Sequence, residues 1–507
     1  MSARFRYQVL ERLTEPCLAV INVLDKQFQD AAFPLDAKTE KSGRMVIQFF
    51  KEMALGYRLA AHQFAGETAT LSLLNKRVGA TCLHRALSCC EQLLYRSSLL
   101  FKPLEPGGWD EIHTLYAFTA QNGLETRNCE DPFGWLNRPH SIQETYKRIL
   151  LMGLCDPSRL SQRAIQQVHC ACELWSNRCE IAPAIGRAPE GSFTIDVNAD
   201  EAPQLVQESG ACLDNVDFVF DLSRLKSWLV DVMNADGGRA RDISFKIAGH
   251  PPLILDSLLL RQLVATWGVR IARNHQRIPA EHSIRMLVGI NGIHFMTAGE
   301  QSFSQFLEET GNEMFMRQGG SVNNWIIGSD QRFRPPVYQA QVLNQSLGGY
   351  RLRLTDMEQM HLKVGELIAV SASSVNERDA VWMIGAVRWL HSVSTTELEV
   401  GVSIIGQGVR TAAVMADTPG KRVPAARGLI IQGFTAETRE QDFLLLPPFH
   451  SDCSTPLTME WRDDMEMESS RVQLLELVDR TTEYCRFTFE AHNVSQQKVP
   501  LADAASS

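Results

Sequence analysis

The apolar pattern of this chain changes period near residue 186, and that change constrains the fold more than any single motif. Before it, apolar residues recur three and four apart, the spacing that lines one face of a helix. After it they alternate in short runs bounded by turn-forming residues, the spacing of half-buried strands. With 507 residues the chain exceeds what one core ordinarily fills, so several domains are expected. The fold class that follows is α+β multidomain. An N-terminal α-helical domain spans 1–185, and an interdomain module or linker with short strands spans 186–252. A small antiparallel β-barrel covers 253–406, a C-terminal β module covers 424–494, and the tail 495–507 is expected to be disordered.

Within the first part, MVIQFFKEMALGYRLAAHQF sets Phe49, Met53, Gly56 and Ala60 at helical spacing, with Lys51, Glu52 and Arg58 for a wetter face. LHRALSCCEQLLYRSSLLF repeats the pattern with Leu83, Ala86, Cys90, Leu93 and Leu94, and Pro103, Pro106, Gly107 and Gly108 end it. WDEIHTLYAFTAQNGL carries Ile112, Leu115, Tyr116 and Thr119 on one side, with Gly123 as its C-cap. Two more helices are expected around SIQETYKRILLMGLC, where Ser141 and Glu144 make a capping box, and LSQRAIQQVHCACELW. No strict repeat period appears. Two readings stay open: a helical domain packing its own core, or helix pairs presenting a surface to a protein partner.

Composition removes whole classes of function. A formal net charge of -9 argues against generic nucleic-acid binding, which needs a basic field. A small anionic ligand needs only a local cluster of arginines. No window approaches ~18 consecutive apolar residues, so no membrane span is expected. The opening run MSARFRYQVLERLTEP lacks the apolar core of a signal peptide, which points to the cytoplasm. Ten of the twelve cysteines precede residue 213, many in helical stretches, as small core residues rather than bridges. His169, Cys170 and Cys172 fall on different faces of a helix, so no metal site is expected there. No phosphate loop, H-E-x-x-H or G-x-S-x-G elbow occurs, nor any GGDEF-like or E-x-L run. His84 with Cys89, and His113 near Asp110, are read as ordinary helix residues. No enzyme, catalytic residue or cofactor is expected.

The chemistry gathers in the β-rich part. The helix LILDSLLLRQLVATWGV runs into Arg273-Asn-His-Gln-Arg277, followed by the β-patterned HSIRMLVGINGIHFM. YQAQVLNQSLGGYRLRL then alternates like a half-buried strand and holds Asn344, Ser346 and Gly349. HLKVGELIAVSAS follows, and VWMIGAVRWLHSVSTTELEVGVSII reads as two strands joined by a polar turn.

An R-x-x-x-R before one strand and [D/N]-x-S-x-x-G on the next resemble the PilZ domain family of cyclic di-GMP receptors. KVGELIAV, GAVRWL and GVSIIG resemble that family's middle and closing strands, and the match covers residues 253–406. The resemblance implies a PilZ-like barrel whose ligand-binding residues are Arg273, Arg277, Asn344, Ser346 and Gly349. Arg270, one turn from the arginine pair, is a further candidate by position alone. Guanidinium groups suit the ligand because they fork onto phosphate oxygens, pair with the O6/N7 edge of guanine, or stack on its face. Asn344 and Ser346 offer short polar side chains, and Gly349 admits a close backbone approach.

The resemblance implies a signalling receptor that passes a conformational change to the helical domain and its protein partner, controlling motility, pili or surface attachment. The alternative is a ligand-free PilZ-like scaffold acting through protein contacts of the helical domain. One departure is the long gap between the motifs, an insertion at 297–336. It brings Arg332 and Arg334 closer to Asn344 as alternative arginines. The C-terminal β module reads either as a second small barrel or as a sheet packed on the first.

Overall fold

The structure is a computed structural model. It describes residues 2–66, 71–72, 75–206, 216–235, 242–268, 276–310, 334–355, 357, 359–371, 381–416, 425–434, 441–448, 453, 456–463 and 466–493. The chain divides into two compact units, Met1–Asn274 with Trp389–Glu397, and His275–Arg388 with Leu398–Ser507.

The first unit opens with α1 (Ala3–Phe28), a helix that the sequence pattern did not announce, with Pro16 inside it. Next come α2 (Ala37–Ala65), α3 (Lys76–Leu99) and α4 (Gly108–Gln121). The two-residue strands β1 (Asn128–Cys129) and β2 (His140–Ser141) pair ahead of α5 (Ile142–Leu154) and α6 (Gln162–Trp175). The expected capping box of Ser141 and Glu144 starts α5. On α2 the core side is Val46, Phe50, Met53, Tyr57 and Ala60, so Phe50 rather than Phe49 is the buried phenylalanine.

The third helix lies at the centre of this unit. It buries polar as well as apolar residues, including His84, Glu91, Gln92 and Arg96. Such groups persist in a core only when paired. Arg96 donates to the Asp25 carboxylate at 2.7 and 3.2 Å. Arg148 of α5 donates to Glu91 and Asp131, both at 2.7 Å, with Glu173 at 3.9 Å. Glu173 also accepts from the Trp135 and Leu136 amides and lies 2.7 Å from His140 Nε2.

Beyond the helices, β3 (Glu180–Pro183), β4 (Phe193–Ile195), β5 (Gln204–Leu205) and β6 (Phe218–Asp221) form a sheet in the order β3-β6-β4-β5. Helix α7 (Ser223–Asn234), the hairpin β7 (Asp242–Ile247) and β8 (His250–Asp256), and α8 (Ser257–Thr266) complete the unit. Gly107 at the start of α4 has no side chain to cap the helix. Asp200 supplies the cap from the sheet region, accepting from the amides of Gly107, Trp109 and Asp110.

The second unit is two closed barrels built on one strand. Its elements, apart from the Trp389–Glu397 tip that groups with the first unit, are β9 (Ile278–Val288), α9 (Gly289–Thr297), α10 (Phe303–Glu309), β10 (Tyr338–Ser346), β11 (Gly349–Leu354), β12 (Leu367–Ser371), β13 (Met383–Ser394) and β14 (Glu397–Ala416). Then follow β15 (Ala426–Gly433), β16 (Asp442–Leu446), β17 (Leu457–Asp463), β18 (Glu466–Arg480) and β19 (Cys485–Asn493). The first barrel runs β11-β10-β9-β12-β13-β14 and closes through β11–β14. The second runs β14-β15-β16-β19-β18-β17 and closes through β14–β17. Closure removes the unpaired edges that open sheets must protect.

Alternation sorts the described residues of this unit into separate apolar clusters. Ile284, Met286, Ala340, Val342, Leu352 and Val400 are buried on the inner face of the first barrel. Ala412, Val414, Leu444, Met459, Val472 and Phe487 belong to a cluster of the second. A third cluster joins Leu287, Ala369 and Ile384 from the first barrel to Leu429, Ile431 and Phe443 from the second, with Ile293 of α9 and Tyr484. Of the expected insertion at 297–336, α10 lies among the described residues and 311–333 lie outside them. Helix α9 instead takes the second half of the run HSIRMLVGINGIHFM, expected as strand, where only the part to Val288 is β9. Phe303 and Phe306 of α10 pack edge-on against the buried His294 of α9.

Candidate functional site

The five expected ligand-binding residues fall at one end of the first barrel, apart from Arg273, which lies outside the described residues, as do Arg270 and Arg332. Arg277 is exposed and immediately precedes β9. In the antiparallel register Ile278 faces Gln345 and Pro279 faces Asn344, so continuing the pairing sets Arg277 opposite Ser346. Ser346 and Gly349 face each other across a two-residue turn, with the Ser346 hydroxyl 3.4 Å from the Gly349 carbonyl oxygen. The turn residue Leu347 is 72% exposed.

A β-bulge decides which way these side chains point. Val342 pairs with Leu352 inside the barrel, yet Asn344, two residues on, pairs with Arg351. The register shift between Val342 and Asn344 absorbs Leu343 and turns the alternation over. Asn344 and Ser346 thus share the outer face with Arg351 and Arg353, whose neighbours Leu352 and Leu354 are buried inside. An unbroken strand would have put both motif residues on the inner face.

Gly349 is required by packing. A β-carbon there would overlap the carbonyl oxygen of Val402 on β14 and would stand 3.2 Å from the Ser403 α-carbon. The β10–β11 hairpin therefore lies tight against β14, where Gly349 pairs with Ser403 and Tyr350 with Val402.

Electrostatics at this face centre on Glu399, a residue that the sequence reading passed over. Its carboxylate is buried and takes Arg351 through Nη2 at 2.5 Å and Nε at 3.1 Å, and Arg353 through Nη2 at 3.4 Å. Burial would raise its pKa, but the hydrogen bonds and charge of the two arginines outweigh that and hold it below the usual range. The signal was present in GYRLRL, where alternation puts both arginines on one face, but the partner acid lies 46 and 48 residues on. Asn344 Oδ1 is buried and accepts no hydrogen bond among the described residues. Arg334, the alternative arginine, pairs with Glu300 at 3.2 Å.

Two domain models of one family match this chain. The N-terminal domain of the cyclic-di-GMP receptor FimW matches residues 1–184, and that receptor's middle PilZ domain matches 192–330 and 321–410. The chain belongs to the FimW family. The cyclic-di-GMP receptor FimW of Pseudomonas aeruginosa is 23% identical over 517 residues, covering 92% of this chain and 79% of the relative. No solved structure matches the chain. The middle-domain match begins inside the β3–β6 sheet region and ends within β14, so the family's PilZ domain takes in more than the first barrel.

No group of His, Cys, Asp and Glu side chains among the described residues is arranged to hold a metal ion. His169 stacks on Tyr95 at 4.1 Å, and burial holds the Cys172 thiol well above its ordinary range. No helix among the described residues is long and apolar enough to cross a membrane.

Proposed function

We propose that this chain is a cytoplasmic cyclic di-GMP receptor whose ligand binds the outer face of the first barrel, on Arg273, Arg277, Asn344, Ser346 and Gly349. The observation that carries the reading is the shared face: the Val342–Asn344 bulge aims Asn344 and Ser346 outward beside the segment that begins at Arg277. A ligand with two phosphodiesters and two guanines uses guanidinium groups for phosphate or guanine O6/N7, and short polar side chains for base edges. The buried acceptor of Asn344 suits a donor such as a guanine N–H. The family names support the same ligand.

The protein acts by binding and not by catalysis. Ligand on the arginine segment shifts a conformational equilibrium by its differential affinity for the two states. The helical domain passes that shift to a protein partner, with motility, pili or surface attachment as the output.

Calorimetric titration with cyclic di-GMP, beside Arg273→Ala and Arg277→Ala, tests the reading. Micromolar or tighter binding, lost in both folded variants, is expected. A well-folded wild type that binds nothing would overturn it and leave the barrel as a scaffold for protein contacts.

A further inference from the structure

The outer face of the first barrel holds an arginine that neither ligand motif includes. Arg351 lies directly opposite Asn344 in the β10–β11 register and two residues beyond Gly349 on the same face. Its side chain is 41% exposed, whereas that of Glu399, which grips it, is 7% exposed. The grip is two-pronged, Nε and Nη2 both reaching Glu399 Oε2, which fixes the plane of the guanidinium. Nη1 makes none of the hydrogen bonds to Glu399.

We propose that Arg351 is a further ligand-contacting arginine of the cyclic di-GMP site, and that Glu399 is its positioning residue. This rests on the reading that the ligand occupies the face of Asn344 and Ser346. An arginine held in one plane loses little side-chain freedom when an anion or guanine edge arrives, so more of each new hydrogen bond appears as affinity. Glu399 is itself largely covered and spends its acceptors on Arg351 and Arg353, so it acts on the ligand only through them. The β11–β14 pairing holds acid and base together, with Arg353 opposite Glu399 and Arg351 opposite Gly401.

The experiment compares cyclic di-GMP affinity of the full chain with Arg351→Ala, Arg351→Lys, Glu399→Gln and the double variant Arg351→Ala/Glu399→Gln, using Arg277→Ala as the reference. Arg351→Ala is expected to weaken binding by about tenfold or more, the usual effect of a lost charged hydrogen bond. Lysine keeps the charge without the fork and restores only part of that loss. Glu399→Gln weakens binding less than Arg351→Ala, and the double variant binds no worse than Arg351→Ala alone, because the acid works through the arginine. Thermal melts show which variants are folded. Wild-type binding that is lost in Arg277→Ala but unchanged in folded Arg351→Ala would overturn this inference alone. Additive losses in the double variant would overturn the positioning role of Glu399. Absence of binding by the wild type would overturn the receptor reading and this inference with it.

Discussion

The carbonyl oxygen of Val402 occupies the space that a β-carbon at Gly349 would need. The motif glycine is thus held in place by the barrel's closure, whatever its part in ligand contact. Its neighbour Ser346, on the facing strand, depends on that closure for its position.

Gly349→Ala therefore forces the β10–β11 hairpin away from β14. The obstacle is backbone, which cannot rotate aside, so a cost of about 1–3 kcal/mol is expected. Urea unfolding would show a lower midpoint, and titration a loss of cyclic di-GMP affinity. A variant with wild-type midpoint and affinity would show that the hairpin does not need this close approach.

Glu366 supplies a pH dependence of opposite sign to most carboxylates. Burial, and then the nearby Glu483, push its pKa up from 4.5 to about 8. The folded chain keeps this proton where the unfolded chain has released it. The contribution is thus full below about pH 4.5 and eroded as pH rises towards 8. Glu366→Gln should match wild type in thermal melts at pH 4 and melt higher at pH 8. Parallel melting curves for the two proteins across that range would refute the assignment.

Arg148 carries the opposite dependence. Among the described residues it joins Glu91, Asp131 and Glu173 in the interior of the helical unit. Burial alone would raise the Asp131 and Glu173 carboxyls. Arg148, with His84 beside Asp131 and His140 bonded to Glu173, reverses that and holds both below their ordinary values. Their stabilisation is present above the unfolded carboxylate range and is lost as pH falls below it. Arg148→Met strands buried carboxylates, at a cost of about 3–5 kcal/mol. Chemical denaturation at pH 7 should show that loss, and the difference from wild type should narrow towards pH 3. A change below about 1 kcal/mol would mean the acids find other partners.

The period switch, the five expected helices and the order of barrel strands were legible in the sequence, because alternation and caps are local signals. The outward aim of Asn344 and Ser346 was not. In YQAQVLNQS the alternation breaks only at the adjacent Val342 and Leu343, a signal too slight to separate a bulge from an ordinary strand, and the bulge is fixed by pairing with β9 and β11. Glycine misled the reading in another place. Gly406 and Gly408 look like the end of a strand, yet β14 runs through both to Ala416. At Gly406 a β-carbon would come within 2.5 Å of Ile431 Cδ1 and 2.7 Å of the Gln432 carbonyl oxygen. Gly408 takes φ +61 within the register shift between Gln407 and Arg410. Glycine there permits crowding and a bulge. The polar residues of α3 were equally opaque, since the partners of Arg96 and Glu91, Asp25 and Arg148, come from elsewhere in the chain.

The long strand β14 has a practical consequence. It is a stave common to two casks, so no linker lies between them on which one could swing against the other. A tug on the Ser346 hairpin is expected to turn the two barrels as a single block, since Tyr484 and its apolar neighbours pack a seam between them. Residue 410, where the family match stops, falls inside that stave. Shortening the chain there would remove the second cask, leaving the first its β11–β14 pairing through Leu398–Ser403 but stripping the cover from Leu287, Ala369 and Ile384.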